Sequence, residues 1–285
     1  MTILRQATAY LGGKGIETPR LDAEVLMAHV LGVPRIQLYV QFERPLVAAE
    51  LDAYREKIAR RAARWPVAYL VGQKEFYGRD FGVDPRVLVP RPETEGLVEA
   101  ALDRLRGRDE VQVADLGTGS GVIGISLACE LPAARVWGVD LSRDALAVAV
   151  ANAERHGVAD RFRALYGDWL AALPDDLRGG FSAIVSNPPY LAAGEVAQAA
   201  PELRREPRLA LTDEADGLSF YRRLAREAAG WLAPGGFVAV ELGADQNEPV
   251  RALFVAGGWT IVEVRDDLAG CPRVLVAALG PGAGG

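Results

Sequence analysis

The sequence predicts an α/β protein: a seven-stranded, mostly parallel, doubly wound sheet with a small helical bundle ahead of it. Three observations carry this. From Val111 onward, short apolar runs alternate with helical stretches, the rhythm of βα units. The first 73 residues or so show helical periodicity without intervening strands. Between the last two apolar runs lies only the stretch Asp266–Pro272, too short for a crossover helix, so the final strand is expected to run antiparallel.

In chain order, a helix around Leu21 to Leu31 stops at Gly32 and Pro34. Between Val47 and Arg64, apolar Val47, Leu51, Tyr54 and Ile58 fall on one helix face, and Trp65-Pro66 ends the run. Arg60, Arg61 and Arg64 occupy other positions and are expected to form a solvated face. Glu75 to Val83 carries aromatics and glycines suited to a short hairpin. Val87 to Glu95, with prolines at 90 and 92, is a rigid entry to a helix over Thr94 to Arg106, and its early proline and acids suit a helix N-terminus. Strands are expected at Val111–Leu116, Arg135–Asp140, Arg163–Gly167, Phe181–Ser186, Gly236–Leu242, Trp259–Val264 and Arg273–Leu279. Helices are expected at Val122–Glu130, Arg143–His156, Leu218–Leu232 and Gln246–Ala256. The organisation is thus a helical domain over 1–73, a hairpin linker over 74–90 and an α/β domain over 91–285, with Gly280 to Gly285 as a flexible tail.

Bulk properties narrow the function. At 285 residues, 50% hydrophobic and 25% charged, the chain has the composition of a globular protein. No apolar stretch reaches the roughly 18 residues of a membrane span, and the polar start has no secretory pattern, so a cytoplasmic protein is expected. Cys129 and Cys271 stand alone, and His29 and His156 have no neighbouring carboxylate or cysteine, so neither a metal site nor a catalytic triad is expected. The net charge of −6 argues against a protein that grips nucleic-acid backbones.

Two motifs carry chemistry. Asp115 to Gly121 ends the first strand of the α/β region in Gly117, Thr118, Gly119, Ser120 and Gly121, whose glycines let backbone approach a ligand without Cβ interference. The pattern is Gly-x-Gly-x-Gly, unlike the dinucleotide spacing. Asp140 closes the next strand, where an acid accepts hydrogen bonds from ribose hydroxyls. Asp168 and Trp169 end the third strand. A carboxylate there can meet an adenine amino group and an indole can pack on the ring; a structural tryptophan fits equally well.

The second motif, Asn187-Pro188-Pro189-Tyr190, closes a buried-strand pattern over Phe181–Ser186. Two prolines cannot continue a ladder, so the chain makes a rigid turn at a strand's carboxyl end. An amide or aromatic amino nitrogen is a poor nucleophile because its lone pair is delocalised. The Asn187 side-chain carbonyl and the Pro188 backbone carbonyl can accept hydrogen bonds from both N–H groups and aim that lone pair, while Tyr190 stacks on the flat acceptor and the prolines hold both in place. The catalytic candidates are Asn187, Pro188 and Tyr190, and the substrate-binding candidates are Asn187 to Tyr190.

Glycine turn, ribose acid and third-strand acid together resemble the Rossmann-like class I S-adenosylmethionine methyltransferases, over about residues 93 to 280. The Asn-Pro-Pro-Tyr turn is similar to that of amino-methyltransferases acting on adenine, cytosine or glutamine amides, and by itself does not choose among them. Arg20 to Leu26, Pro90-Arg91-Pro92-Glu93-Thr94-Glu95, Asp115 to Gly121, Ser186 to Tyr190, Glu206-Pro207 with Ala210-Leu211, and Glu241-Leu242-Gly243 with Gln246 occur in one order. That series resembles the bacterial peptide chain release factor glutamine methyltransferases through nearly the whole chain. One departure is Cys271-Pro272-Arg273 where a glycine-rich turn is more usual.

The resemblance implies methylation of the glutamine side-chain amide in the Gly-Gly-Gln loop of class 1 release factors, with S-adenosylmethionine as donor and S-adenosylhomocysteine as product. It places cofactor positions on Gly117 to Gly121, Asp140, Trp169 and Asn187. The N-terminal helices and the hairpin would help hold the protein substrate, with no direct nucleic-acid or membrane partner and a monomer as the expected state. A glutamine methyltransferase acting on a ribosomal protein is the near alternative. A DNA adenine methyltransferase is more distant, since it must flip its base and usually carries a basic surface. A non-catalytic cofactor-binding scaffold is the alternative from another class. Glu206 is open between a site-orienting role and a surface-loop acid.

Overall fold

The protein is represented by a computed structural model that describes residues 2–41 and 43–280; the expected tail beyond 280 lies outside the described residues. The chain divides into two compact units, one of Met1–Gln73 with Ala200–Arg205, the other of Lys74–Ala199 with Glu206–Gly285.

The first unit holds helices α1 (Thr2–Gly13), α2 (Pro19–Leu31), α3 (Gln37–Val40), α4 (Ala48–Ala62) and α5 (Val67–Val71). Proline opens α2, and Gly32 ends it in the left-handed region, its N–H donating to the Ala28 and His29 carbonyls. Leu4, Leu11, Leu26, Met27, Tyr54, Ile58 and Leu70 form its core. Val47, expected on the apolar face of α4, lies just before the helix and is exposed. Arg61 corrects the expectation of a solvated arginine face. It is buried, and it pairs with Asp22 at 2.7 Å and with Glu202 at 2.9 Å. Periodicity counted a charged residue as outward; two acids from elsewhere in the chain instead compensate its burial.

The second unit begins with the hairpin β1 (Gln73–Phe76) and β2 (Arg79–Gly82), although Gln73 itself clusters with the first unit. A 3-10 turn over Pro92–Thr94 leads into α6 (Glu95–Leu105). There follow β3 (Val111–Leu116), α7 (Val122–Glu130), β4 (Ala134–Asp140), α8 (Arg143–Arg155), β5 (Phe162–Tyr166), β6 (Phe181–Ser186), α9 (Ser219–Glu227), β7 (Leu232–Glu241), α10 (Asn247–Ala256), β8 (Trp259–Asp266) and β9 (Pro272–Leu279). Leu218–Leu232, expected as one helix, is α9 followed by a 3-10 turn over Ala228–Trp231.

The seven strands pair in the order β5-β4-β3-β6-β7-β9-β8. Pairs from β5 to β7 are parallel, and β9 is antiparallel to both β7 and β8, as its short connection requires. Two apolar clusters cover the faces of this sheet, one with α6 and α7 and the hairpin phenylalanines, the other with α9 and α10. Leu116 pairs with Val139, Asp115 with Val185 and Ser186 with Val240, so β3, β4, β6 and β7 end at one edge. Between β3 and β6 the strand order reverses, which opens a crevice at that edge.

Candidate active site

The glycine turn leaves β3 at this crevice. Gly117, Gly119 and Gly121 all have positive φ, and a Cβ on Gly117 would meet nothing within 4 Å. The first two therefore present open backbone, whereas Gly121 is glycine for packing: a Cβ there would lie 2.5 Å from Ile125 Cδ1. Gly117 N–H and Thr118 N–H both donate to the Val139 carbonyl, tying the turn to β4. Asp115 fastens it from beneath, its Oδ2 accepting from Thr118 Oγ1 at 2.6 Å and from Gly124 N–H at 3.0 Å. Asp115 is fully buried, and burial pushes its carboxyl up to about 6 against those two hydrogen bonds.

Asp140 sits at the end of β4 beside the turn. Gly119 N–H donates to its Oδ2 at 2.9 Å and Ser142 N–H to its Oδ1 at 2.8 Å, so each oxygen is anchored and keeps a lone pair for further donors. Burial raises its pKa, and the hydrogen bonds from Ser142 and Gly119 pull the other way. Ser142 caps α8 by accepting from Ala145 N–H. Trp169 adopts positive φ, is nearly buried and stacks on Phe220 with ring centroids 4.2 Å apart. Gly117, Gly119, Asp140, Ser142, Trp169, Asn187, Pro189 and Phe220 line one cleft, with Val87, Leu88 and Pro207 also on its wall. Asp168 is exposed and not among these lining residues; Arg223 of α9 holds its Oδ1 at 2.6 Å.

Asn187 follows β6, and its position is set from two sides. Ser186 before it is buried, with its hydroxyl donating to the Leu116 carbonyl at 2.6 Å. The Asn187 Nδ2 donates to Thr94 Oγ1 at 3.2 Å, and Thr94 Oγ1 donates to Glu241 Oε2 at 2.6 Å. Held this way, the carboxamide leaves Oδ1 open as an acceptor where Asn187 lines the cleft. Pro188 is buried and Pro189 half-buried. The Tyr190 carbonyl accepts from Gln246 Nε2 at 2.8 Å, and a Cβ on Gly217 would come within 2.2 Å of that carbonyl, so the turn is closely backed. Burial pushes the Tyr190 phenol up to about 12, so it stays protonated and is no base near neutral pH.

Glu206 resolves toward orientation. It is buried, and its carboxylate accepts from Val89 N–H at 2.9 Å and from Arg91 Nη2 at 2.6 Å, fixing the segment before α6 that carries Thr94. Phe220 on the cleft wall, and Thr94 with Glu241 behind Asn187, belong to neither motif. Thr94 and Glu241 stand in Pro90–Glu95 and Glu241–Gly243, where they serve as family marks with no role attached. Phe220 has no sequence signal beyond an aromatic opening a helix.

Comparison with known proteins identifies the family. Residues 2–72 match the PrmC N-terminal domain family and residues 97–240 the methyltransferase small domain family. The release factor glutamine methyltransferase of Bordetella pertussis is 47% identical over 274 residues, covering 96% of this chain and 98% of that protein. The chain belongs to the release factor glutamine methyltransferase family. The protein of that name from Burkholderia pseudomallei is 48% identical over 89% of this chain, and that from Chlorobaculum tepidum 44% identical over 93%. Among solved structures, the fold is similar to a ribosomal protein L11 methylase from Lactobacillus delbrueckii, with a TM-score of 0.51 at 19% identity over 73% of this chain and 90% of that one. A human methyltransferase 10 domain containing protein gives a TM-score of 0.54 at 16% identity over 80% of this chain and 98% of that one. As a family member, the protein is a methyltransferase built on the class I fold. Among the described residues no group of His, Cys, Asp and Glu is placed to hold a metal ion, and no helix is long and apolar enough to cross a membrane.

Proposed function

We propose that this methyltransferase transfers a methyl group from S-adenosylmethionine to the side-chain amide nitrogen of the glutamine in the Gly-Gly-Gln motif of class 1 release factors, in the cytoplasm. One observation carries the reading: at the switch point of the sheet, Asn187 shares a cleft with an open glycine turn and a ribose-type acid, with its Oδ1 available as an acceptor. The full-length likeness to release factor glutamine methyltransferases supports the choice of acceptor.

The residues present fit this donor. Gly117 and Gly119 offer backbone with no Cβ in the way, Asp140 offers carboxylate lone pairs to vicinal hydroxyls, and Trp169 with Phe220 offers an aromatic wall. Thr118, Ser120 and Gly121 complete the turn, and Asp168 would act at the rim beside Arg223. When bound, S-adenosylmethionine supplies an electrophilic methyl on a positively charged sulfur.

The chain's own part is to prepare the nitrogen. Asn187 Oδ1 and the Pro188 carbonyl would each accept one N–H of the glutamine amide, drawing it away from planarity and exposing its lone pair. Pro188 and Pro189 fix these acceptors at low conformational freedom, so little ordering remains at the moment of reaction. Tyr190 packs the flat amide as a neutral ring. No strong base is needed, because the nitrogen becomes acidic only once it carries the methyl group. The helices of residues 1–73 and the hairpin would hold the protein substrate.

Purified enzyme incubated with methyl-labelled S-adenosylmethionine and a bacterial release factor should label the Gly-Gly-Gln peptide. Label appearing instead on a ribosomal protein or on duplex DNA would reassign the acceptor.

A further inference from the structure

Behind the acceptor turn a chain of three side chains runs from half-buried Asn187 to buried Thr94 and Glu241, which the sequence motifs do not connect. Thr94 and Glu241 are each 2% exposed, so neither exchanges its partner for bulk water. We propose that Thr94 and Glu241 form a positioning relay that selects which end of the Asn187 carboxamide faces the acceptor, making the site competent only while Glu241 is ionised. The inference rests on the reading of Asn187 as the acceptor clamp.

The count of available protons fixes the orientation. A threonine hydroxyl has a single proton. An ionised carboxylate only accepts, so Thr94 gives its proton to Glu241 Oε2, the 2.6 Å contact. Thr94 Oγ1 then accepts, and the only end of the Asn187 carboxamide that donates is Nδ2, the 3.2 Å contact. Oδ1 is left toward the acceptor. When Glu241 takes a proton from solvent, its carboxyl can donate to Thr94 Oγ1 and release the hydroxyl proton toward Asn187. By turning over, the carboxamide keeps one hydrogen bond with Thr94, now accepted on Oδ1, and this puts Nδ2 toward the acceptor. Two N–H groups of a glutamine amide facing a third donor repel, and the clamp is lost.

Several groups set when this occurs. Arg91 and Glu93 face Glu241 from the segment before α6, Arg273 from β9, and Tyr190 from the acceptor turn. On α9, the Tyr221 hydroxyl donates to the Glu241 backbone carbonyl at 2.7 Å. Burial is the largest influence and Glu93 adds to it, while Thr94, Arg273 and Arg91 favour the ionised form; the balance pushes the Glu241 carboxyl up to about 7. The switch therefore falls near neutral pH.

The test combines nuclear magnetic resonance with kinetics on the full-length protein. The Asn187 side-chain NH2 resonances, identified by their absence from Asn187→Ser, should titrate with pH near neutrality in the otherwise wild-type protein. They should stop titrating in Glu241→Gln and in Thr94→Val. With both substrates saturating, kcat of the wild type should fall toward acid pH, and this limb should vanish in Glu241→Gln. Thr94→Val should lower kcat by about tenfold or more with donor KM within about twofold, and Thr94→Ser should restore it. An Asn187 titration that persists in Thr94→Val, or a Thr94→Val enzyme with wild-type kcat, overturns the relay; Thr94→Val decides the matter if Glu241→Gln does not fold. Loss of the titration in both variants, in a protein that labels no release factor, would sustain the relay and reject the acceptor assignment instead.

Discussion

Three other residues define the place of Asn187, the proposed acceptor clamp: Ser186 tied to β3, Thr94 holding Nδ2, and Gln246 holding the next residue but two. Asn187→Ala removes the acceptor without disturbing the glycine turn. It should lower kcat about 10²–10³-fold, the loss seen when one preorganised hydrogen-bonding group is deleted from an active site, while donor binding stays measurable by calorimetry. The two strand-end acids should separate in the same assay. Asp140→Ala removes a half-buried carboxylate from the cleft and should weaken donor binding strongly. Asp168→Ala breaks an exposed pair with Arg223, of the kind that contributes about 1 kcal/mol or less, and should weaken binding much less. Glu241 also links stability to pH. Its pKa is raised on folding, so the folded state holds that proton more tightly, and the resulting stabilisation is present below the unfolded-state value of 4.5 and lost as pH rises through about 7. Urea unfolding of Glu241→Gln against wild type should therefore shift in the variant's favour between pH 5 and 8, by at most about 1.4 kcal/mol per pH unit.

The turn between β3 and α7 shows how a strand, a loop and a helix share one task. Asp115 in β3 bonds both Thr118 in the loop and Gly124 in α7, and glycines sit where a Cβ would strike a neighbouring side chain: one on Gly124 would lie 2.7 Å from Val136 Cγ1. A Cβ on Gly138 of β4 would lie 2.5 Å from Phe162 Cζ and 3.0 Å from Thr118 Oγ1. Gly138→Ala should cost about 1–3 kcal/mol in thermal unfolding, the usual penalty for overpacking, and should also weaken donor binding by displacing Thr118. Much of this element was legible beforehand. The apolar run of β3, the Gly-x-Gly-x-Gly turn and the helix after it follow from period and composition, and the reversed β9 follows from the length of one connection. What was not legible depends on contacts distant in sequence. Thr94 and Glu241 are 147 positions apart, and nothing in either neighbourhood predicts their hydrogen bond. Trp169 was open between a ligand wall and a core residue because stacking on Phe220 belongs to neither segment alone.

At the scale of the molecule, the chain builds two cores, one of helices and one of a doubly wound sheet, and returns residues 200–205 to the helical unit. The helical character of the first 73 residues was visible in their periodicity, whereas the return of 200–205 was not, because it is held by charges rather than by pattern. Arg61 joins Asp22 of α2 to Glu202 of that segment. Arg61→Ala leaves two acids facing a buried gap and should destabilise the helical unit by about 3–5 kcal/mol, read as a fall in its melting transition by calorimetry. On the proposed function, the acceptor's identity also belongs to this scale: the Asn187–Tyr190 turn would suit a planar nitrogen, and the full-length likeness to release factor glutamine methyltransferases supports a glutamine. The most direct measurement is peptide mapping of a bacterial release factor after incubation with the enzyme and methyl-labelled S-adenosylmethionine. One methyl is expected on the side-chain amide of the Gly-Gly-Gln glutamine, absent when Asn187→Ala replaces the wild type. Label elsewhere on the factor, or label undiminished in that variant, would contradict the proposed function.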